Sequence, residues 1–206
     1  YDKGFLHCDL LIIGGGPAGL VAALVAGRAG LNVILADEDF IIGGRLNSET
    51  ITIDDLAGSV WSAAKSGELA SLPNVKLMTR TTVIGAFDHG IFGMVERVSD
   101  RLKEPAMGQP RQRLWRVYSQ AALICSGATE RSIAFENNDR PGIMLAGAMR
   151  AYANRWATAV GDRVAIFTNN DDAHRSAHDL FNLGVEIAAV IDSRPEAPKS
   201  DRFEVL

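Results

Sequence analysis

Apolar residues fall in short runs, set apart by glycine, proline and charged positions, and the run lengths predict alternating strands and helices. Asp9-Leu10-Leu11-Ile12-Ile13 reads as a strand. Pro17 to Ala29, rich in Ala, Val and Leu nearly all round, reads as a buried helix that stops at Gly30 in a left-handed conformation. Val33 to Asp37 follows at once as a second strand, and so short a right-handed βαβ crossover implies a parallel sheet. A helix is expected from Asp54-Asp55 to about Ser71, with Trp61 and Leu69 facing the core and Leu72-Pro73 closing it. Val75 to Met78 is the third strand.

The pattern then changes. Thr82 to Phe87 and Ile91 to Val98 read as strands joined by the hairpin turn Asp88-His89-Gly90. After a polar loop, Ser99 to Gln112, the strand Leu114 to Tyr118 completes an antiparallel meander. Ala122 to Cys125 returns as a fourth parallel strand ending in Ser126-Gly127-Ala128. Beyond a loop at Asn137 to Gly142 and a helix from Ile143 to Trp156, a second βαβ unit is expected. It comprises a strand Val164 to Thr168, a helix to about Leu183 capped by Gly184, and a strand Val185 to Ile191.

The turn out of the first strand carries the chemistry. It reads Gly14-Gly15-Gly16-Pro17-Ala18-Gly19, a G-x-G-x-x-G spacing in which each glycine has its own reason. Gly14 lets the chain turn sharply, Gly16 lets a pyrophosphate approach the backbone, and Gly19 lets the helix lie close to the strand. Pro17 suits the first helical turn, and the N–H groups there face the phosphates. Asp37, 18 residues after Gly19, ends the second strand where an acid binds ribose hydroxyls, and Glu38 follows. NADP would bring a 2′-phosphate against these two carboxylates, at about 4 kcal/mol per unit charge pair at ~4 Å and an effective dielectric of 20. No arginine is expected beside Asp37 to offset this. Gly43-Gly44-Arg45 is either a tight loop beneath the cofactor, with Arg45 reaching a phosphate or the adenosine, or a surface loop with a solvated arginine; the spacing leaves both open.

These elements define the expected fold: α/β, a three-layer Rossmann-like FAD/NAD(P)-binding fold with a β-meander crossover, followed by part of a second βαβ unit. Residues 1–160 are read as the dinucleotide-binding domain and 161–206 as the start of a second. The second turn, Thr168-Asn169-Asn170-Asp171-Asp172, has no glycine, and its adjacent carboxylates would repel a pyrophosphate.

A formal net charge of −4 over 206 residues gives no reason to expect nucleic acid or an anionic membrane as partner. No apolar run reaches the ~18 residues of a membrane span. Tyr1 to Gly4 shows no signal pattern, so an excised piece of a longer, cytoplasmic chain is expected. Cys8 and Cys125 form neither a disulfide framework nor a C-x-x-C and are read as buried, inert thiols. His89, His174 and His178 are read as surface residues, and His7 with Cys8 is too little for a metal site. No catalytic constellation and no metal ligands are expected.

Together, GGGPAG, LADEDFIIGGR, TTVIGAFDHGIFG, GQPRQRLWR, NNDRPGIMLAGAMRAY and FTNNDDAHR resemble the alpha (large) subunits of heterotetrameric sarcosine oxidases over essentially the whole chain. The first motif is shared with the wider two-dinucleotide-binding flavoprotein superfamily, and the proline-glycine loop with opine and amine oxidase subunits. The resemblance implies oxidative demethylation of sarcosine to glycine, with hydrogen peroxide formed and a one-carbon unit passed to tetrahydrofolate. It implies beta, gamma and delta partner subunits, FAD on the beta subunit, FMN at an alpha–beta interface and NAD on this segment. FAD here, as in a disulfide-reductase-like enzyme, is the alternative. Carried onto this chain, the cofactor positions are Gly14, Gly16, Pro17, Ala18, Gly19, Asp37, Glu38, Gly44, Arg45, Gly127 and Val83, the last nearest the adenine. The family's acidic-glycine closing strand and folate domain lie outside these residues, so the segment is expected to be inactive alone.

Overall fold

The computed structural model describes residues 2–206. The chain forms two compact units: residues up to Leu46 with Thr52–Gly127, and Asn47–Ile51 with Ala128–Leu206.

In the first unit, β1 (Asp2–Ile13) leads into α1 (Pro17–Arg28) and β2 (Val33–Ala36). A small hairpin, β3 (Thr52–Ile53) and β4 (Leu56–Ala57), precedes α2 (Gly58–Ala70) and β5 (Val75–Met78). Then come β6 (Thr81–Phe87), β7 (Ile91–Arg97) and β8 (Gln112–Ile124). Six strands form one sheet in the order β5-β2-β1-β8-β7-β6. The pairs β5–β2, β2–β1 and β1–β8 are parallel, and β8–β7 and β7–β6 are antiparallel.

Two apolar layers hold this sheet. On one side Ile12, Leu35 and Val33 pack with Leu20, Ala23 and Leu24 of α1 and with Trp61 and Leu69 of α2. The other side joins Leu11, Ile34 and Met78 to Met94 and Val117 of the meander. This is the expected mixed α/β, three-layer arrangement.

Three expectations need correction. β8 is a single strand, not two. Ser119 and Gln120 look like a break, but the Ser119 hydroxyl donates to Ala121 O at 2.5 Å and the Gln120 amide donates to Asp9 at 2.9 Å, so pairing with β1 continues past them. Asp54 and Asp55 do not start α2. Both have positive φ, 51° and 61°, and form the two-residue turn of the β3–β4 hairpin. Aspartate favours helix starts and such turns alike, so the sequence signal was ambiguous. Asp54 also accepts from Trp61 Nε1 at 3.0 Å.

The third correction is the boundary. In the second unit α3 (Ala146–Trp156) precedes β9 (Arg163–Thr168), α4 (Asp171–Asn182) and β10 (Glu186–Asp192), with β9 and β10 parallel. Met149 of α3 is buried with Ile166, Ala177, Leu180 and Val190. The chain therefore divides near 128 and not at 160, because α3 packs with the elements that follow it.

Candidate dinucleotide site at the carboxyl end of β1

The glycine loop leaves β1 where backbone bonds pin both neighbouring strands: Gly14 N donates to Ala36 O at 2.8 Å, and Cys125 N to Ile13 O at 2.7 Å. Gly14 has φ +105°, and a Cβ there would lie 2.4 Å from Cys125 O and 3.0 Å from Ser126 Cα. The chain after β8 thus returns against the loop, and Gly127 follows with φ +70°. A Cβ on Gly19 would lie 1.9 Å from Gly14 O, so the helix approaches the turn as closely as a backbone can.

Gly16 is different. Its φ of −70° suits any residue, yet a Cβ there would meet nothing within 4 Å. Open space therefore stands at the start of α1, where Pro17 is the first helical residue and Pro17 and Ala18 are exposed. The first N–H groups of an α-helix have no partner within the helix, and Pro17 has none to offer. Those of Ala18 and Gly19 remain at the positive end of the helix dipole. α1 has no acid in its first turn to compete for them. These residues fit the diphosphate of a dinucleotide.

Gly44 packs closely against Gly16. It has φ +54° and starts a single helical turn, Gly44–Asn47; a Cβ there would lie 3.0 Å from Gly16 Cα. The adjacent Gly43 N donates to Gly15 O at 2.9 Å. The Gly43-Gly44 loop therefore does pass beside the glycine turn, and Arg45 stands exposed just beyond it.

The acids are arranged differently from expectation. One carboxylate oxygen of Asp37 accepts from Gly15 N at 2.6 Å and the other from Asp39 N at 2.8 Å. Asp37 thus ties the glycine turn to the end of β2. Glu38 is the exposed acid of the pair. Its carbonyl accepts from Arg97 Nη2 at 2.7 Å, so a cation does stand at this corner. Arg97 ends β7, 60 residues from Asp37, and no local spacing could announce it. Thr81 N donates to Asp37 O at 2.8 Å, which starts β6 beside the acids. Val83, two residues on, is half-buried in the apolar layer beneath the sheet.

No activated thiol accompanies the loop. Burial pushes both Cys125 and Cys8 up from the ordinary thiol value, and in Cys8 a hydrogen bond with Ser119 opposes burial only in part. Among the described residues no group of three or more His, Cys, Asp or Glu is placed for a metal. A separate groove of about 340 Å³, lined by residues including His7, Asp9, Asn32, His89 and Tyr118, lies toward the amino end of β2, away from the glycine loop.

The turn of the second unit is closed by its own side chains. Asn170 Oδ1 caps α4 by accepting from Asp172 N at 3.0 Å. Asp171 pairs with Arg194 at 2.8 Å and Asp172 with Arg175 at 3.2 Å, so these carboxylates are matched by cations. His174 is buried, not on the surface as expected, with Nε2 2.7 Å from Asp192 Oδ2. The Arg194 guanidinium beside Asp192 holds its carboxyl far below the ordinary range; burial opposes this, and the His174 contact adds to it. A lowered folded value means that this stabilisation is fully present above the ordinary carboxylate value of about 3.9 and fades as pH falls from there toward the folded value. Asp192→Asn is accordingly expected to lower the melting temperature of the intact chain at pH 7. It should also flatten the loss of stability below pH 4, and thermal melts from pH 2 to 7 read both; identical profiles for parent and variant would refute the assignment.

An α/β sheet with a glycine turn, a helix start and acids at its carboxyl edge is the arrangement of the dinucleotide-binding fold class. Residues 9–129 match the family described as FAD dependent oxidoreductase, and the chain belongs to that family. It is 51% identical over 197 residues to the sarcosine oxidase subunit alpha of Rhizobium meliloti (strain 1021), covering 96% of this chain and 20% of that protein. Identity to the corresponding subunit of Corynebacterium sp. (strain P-1) is 40% over 196 residues, covering 94% and 20%. The chain thus spans about a fifth of the length of these relatives. Among solved structures, the L-proline dehydrogenase from P. horikoshii superposes with a TM-score of 0.75 at 24% identity, covering 98% of this chain and 38% of that one, a likeness of fold.

Proposed function

We propose that this chain is the dinucleotide-binding segment of the alpha subunit of a heterotetrameric sarcosine oxidase, and that it holds NAD by its adenosine diphosphate half. The observation that carries the reading is the open space over Gly16 at a helix start free of acids, in a turn whose other glycines allow close backbone packing. The 51% identity to a sarcosine oxidase subunit alpha supports the subunit assignment. In that reading the complex oxidatively demethylates sarcosine to glycine. Beta, gamma and delta subunits, FAD, FMN and tetrahydrofolate belong to the rest of the assembly, in the cytoplasm.

Bound NAD supplies a hydride-accepting ring, and this chain supplies binding. The amides of Ala18 and Gly19 face the diphosphate, Glu38 accepts from ribose hydroxyls, and Asp37 fixes the turn that aims them. Arg45 lies on the phosphate side, Val83 on the adenine side, and Gly127 lets the returning chain pass close. FAD in the same place is the second reading, favoured by the match of residues 9–129 to FAD dependent oxidoreductases.

Calorimetric titration of the nucleotide-free, full-length subunit with NAD, NADP and FAD decides between them. NAD is expected to bind at one per subunit and NADP about tenfold or more weakly, a gap of at least ~1.4 kcal/mol. Arg97 makes that gap smaller than two unopposed carboxylates would give. FAD as sole binder would replace NAD in the assignment, and no binding by any of the three would overturn the site.

A further inference from the structure

Residues Asn47–Ile51 belong to the second unit, although the chain on both sides of them belongs to the first. Side chains of α3 and α4 hold this short strap. Arg150 Nη2 reaches Glu49 Oε1 at 3.1 Å and Asp172 Oδ1 at 3.4 Å. Asn154 Nδ2 donates to Ser48 O at 2.9 Å and to Asp179 Oδ2 at 3.1 Å, and the Thr50 hydroxyl donates to Asp179 Oδ1 at 2.7 Å. Arg150 is only 3% exposed, a buried guanidinium shared between two largely covered carboxylates. Removing Arg150 takes away a buried ion pair from Glu49 and leaves the strap to Asn154 and Thr50, while Asp172 keeps Arg175.

The strap continues directly from the loop at the glycine turn. Leu46, the residue before Asn47, is buried, and Leu46 N donates to Gly43 O at 3.1 Å, while Gly43 N donates to Gly15 O. A peptide fixed immediately downstream has fewer conformations open to it than one followed by a free chain. We infer that Arg150, supported by Asn154, is a positioning residue for the nucleotide loop Gly43–Leu46, acting through the strap and touching no nucleotide itself. This rests on the proposed dinucleotide site.

The test compares Arg150→Met and Arg150→Lys in the full-length subunit within its complex. Hydrogen exchange is read on peptides covering 43–46, 47–51 and, as control, 33–36, and NAD titration on the same samples. Arg150→Met is expected to speed exchange at 43–46 about tenfold without nucleotide, to leave 33–36 unchanged, and to raise the NAD dissociation constant about tenfold at unchanged stoichiometry. Arg150→Lys, which keeps the charge but not the fork, should recover most of both. If Arg150→Met prevents assembly, Asn154→Ala is read the same way, with about a threefold effect expected. Faster exchange confined to 47–51, or equal acceleration at 33–36, would overturn the inference. If the parent subunit binds no nucleotide, the site proposal falls, while exchange at 43–46 still decides whether Arg150 holds the loop.

Discussion

Gly16→Val is expected to abolish dinucleotide binding and to leave the fold standing. The backbone at Gly16 is extended, and a Cβ placed there touches nothing within 4 Å, so the folded chain has no reason to reject a side chain. The same side chain fills the space a diphosphate needs, and it does so in front of the amides of the first helical turn. Affinity should fall by about a hundredfold or more. Stability should stay within roughly 0.5 kcal/mol of the parent, as for a substitution that meets no neighbours. Calorimetry and a thermal melt of the intact subunit read the two effects separately. A variant that retained full nucleotide stoichiometry would show that the site lies elsewhere.

Gly19→Ala should fail in the opposite way. Alanine is intrinsically better than glycine inside a helix by about 1 kcal/mol, so propensity alone predicts a gain. Here the added Cβ would lie 1.9 Å from the Gly14 carbonyl oxygen, a backbone atom with no rotamer to escape into. α1 or the turn must move, and both are fixed: Leu20, Ala23 and Leu24 are buried under the sheet, and Gly14 is bonded to β2. We expect a loss of roughly 3 kcal/mol or more, at the severe end for single substitutions. It should appear as low soluble yield and a lower first transition on heating. Gly16→Ala, one turn earlier in the same motif, should show neither. Equal stability of the Gly19→Ala variant and the parent would refute the close approach.

The sequence revealed the glycine loop because three constraints of different kinds fall within six residues, each needing glycine for a local reason. β2, α1 and β5 are readable within one residue at each end, since their runs are bounded by glycine, proline, charge or a small polar residue. What stayed hidden was set by partners far along the chain. Arg97 comes to the acids from the end of β7. His174 and Asp192 are 18 residues apart and meet only once β10 is laid beside β9. Ser119 and Gln120 look like an interruption unless their bonds within β8 and to β1 are known. Asp37 was found as the acid at the strand end. Its two backbone donors, Gly15 and Asp39, depend on how the loop closes over it, and the chain's pattern holds no record of that.

The pairing of β1 with β8 sets a timetable for synthesis. Asp2 and Arg113 are bonded partners 111 positions apart, and the whole length of β1 is paired parallel to β8. At about 5–20 residues per second, a ribosome needs on the order of 5–20 seconds after making the start of β1 before its partner has been polymerised. Through that interval α1, β2, α2 and β5 can gather on one flank of β1, while the other flank stays open with its amides and carbonyls unmatched. Such a border recruits stray strands. The flank of β1 that faces β8 therefore stays unpaired until the residues up to Ile124 have been made.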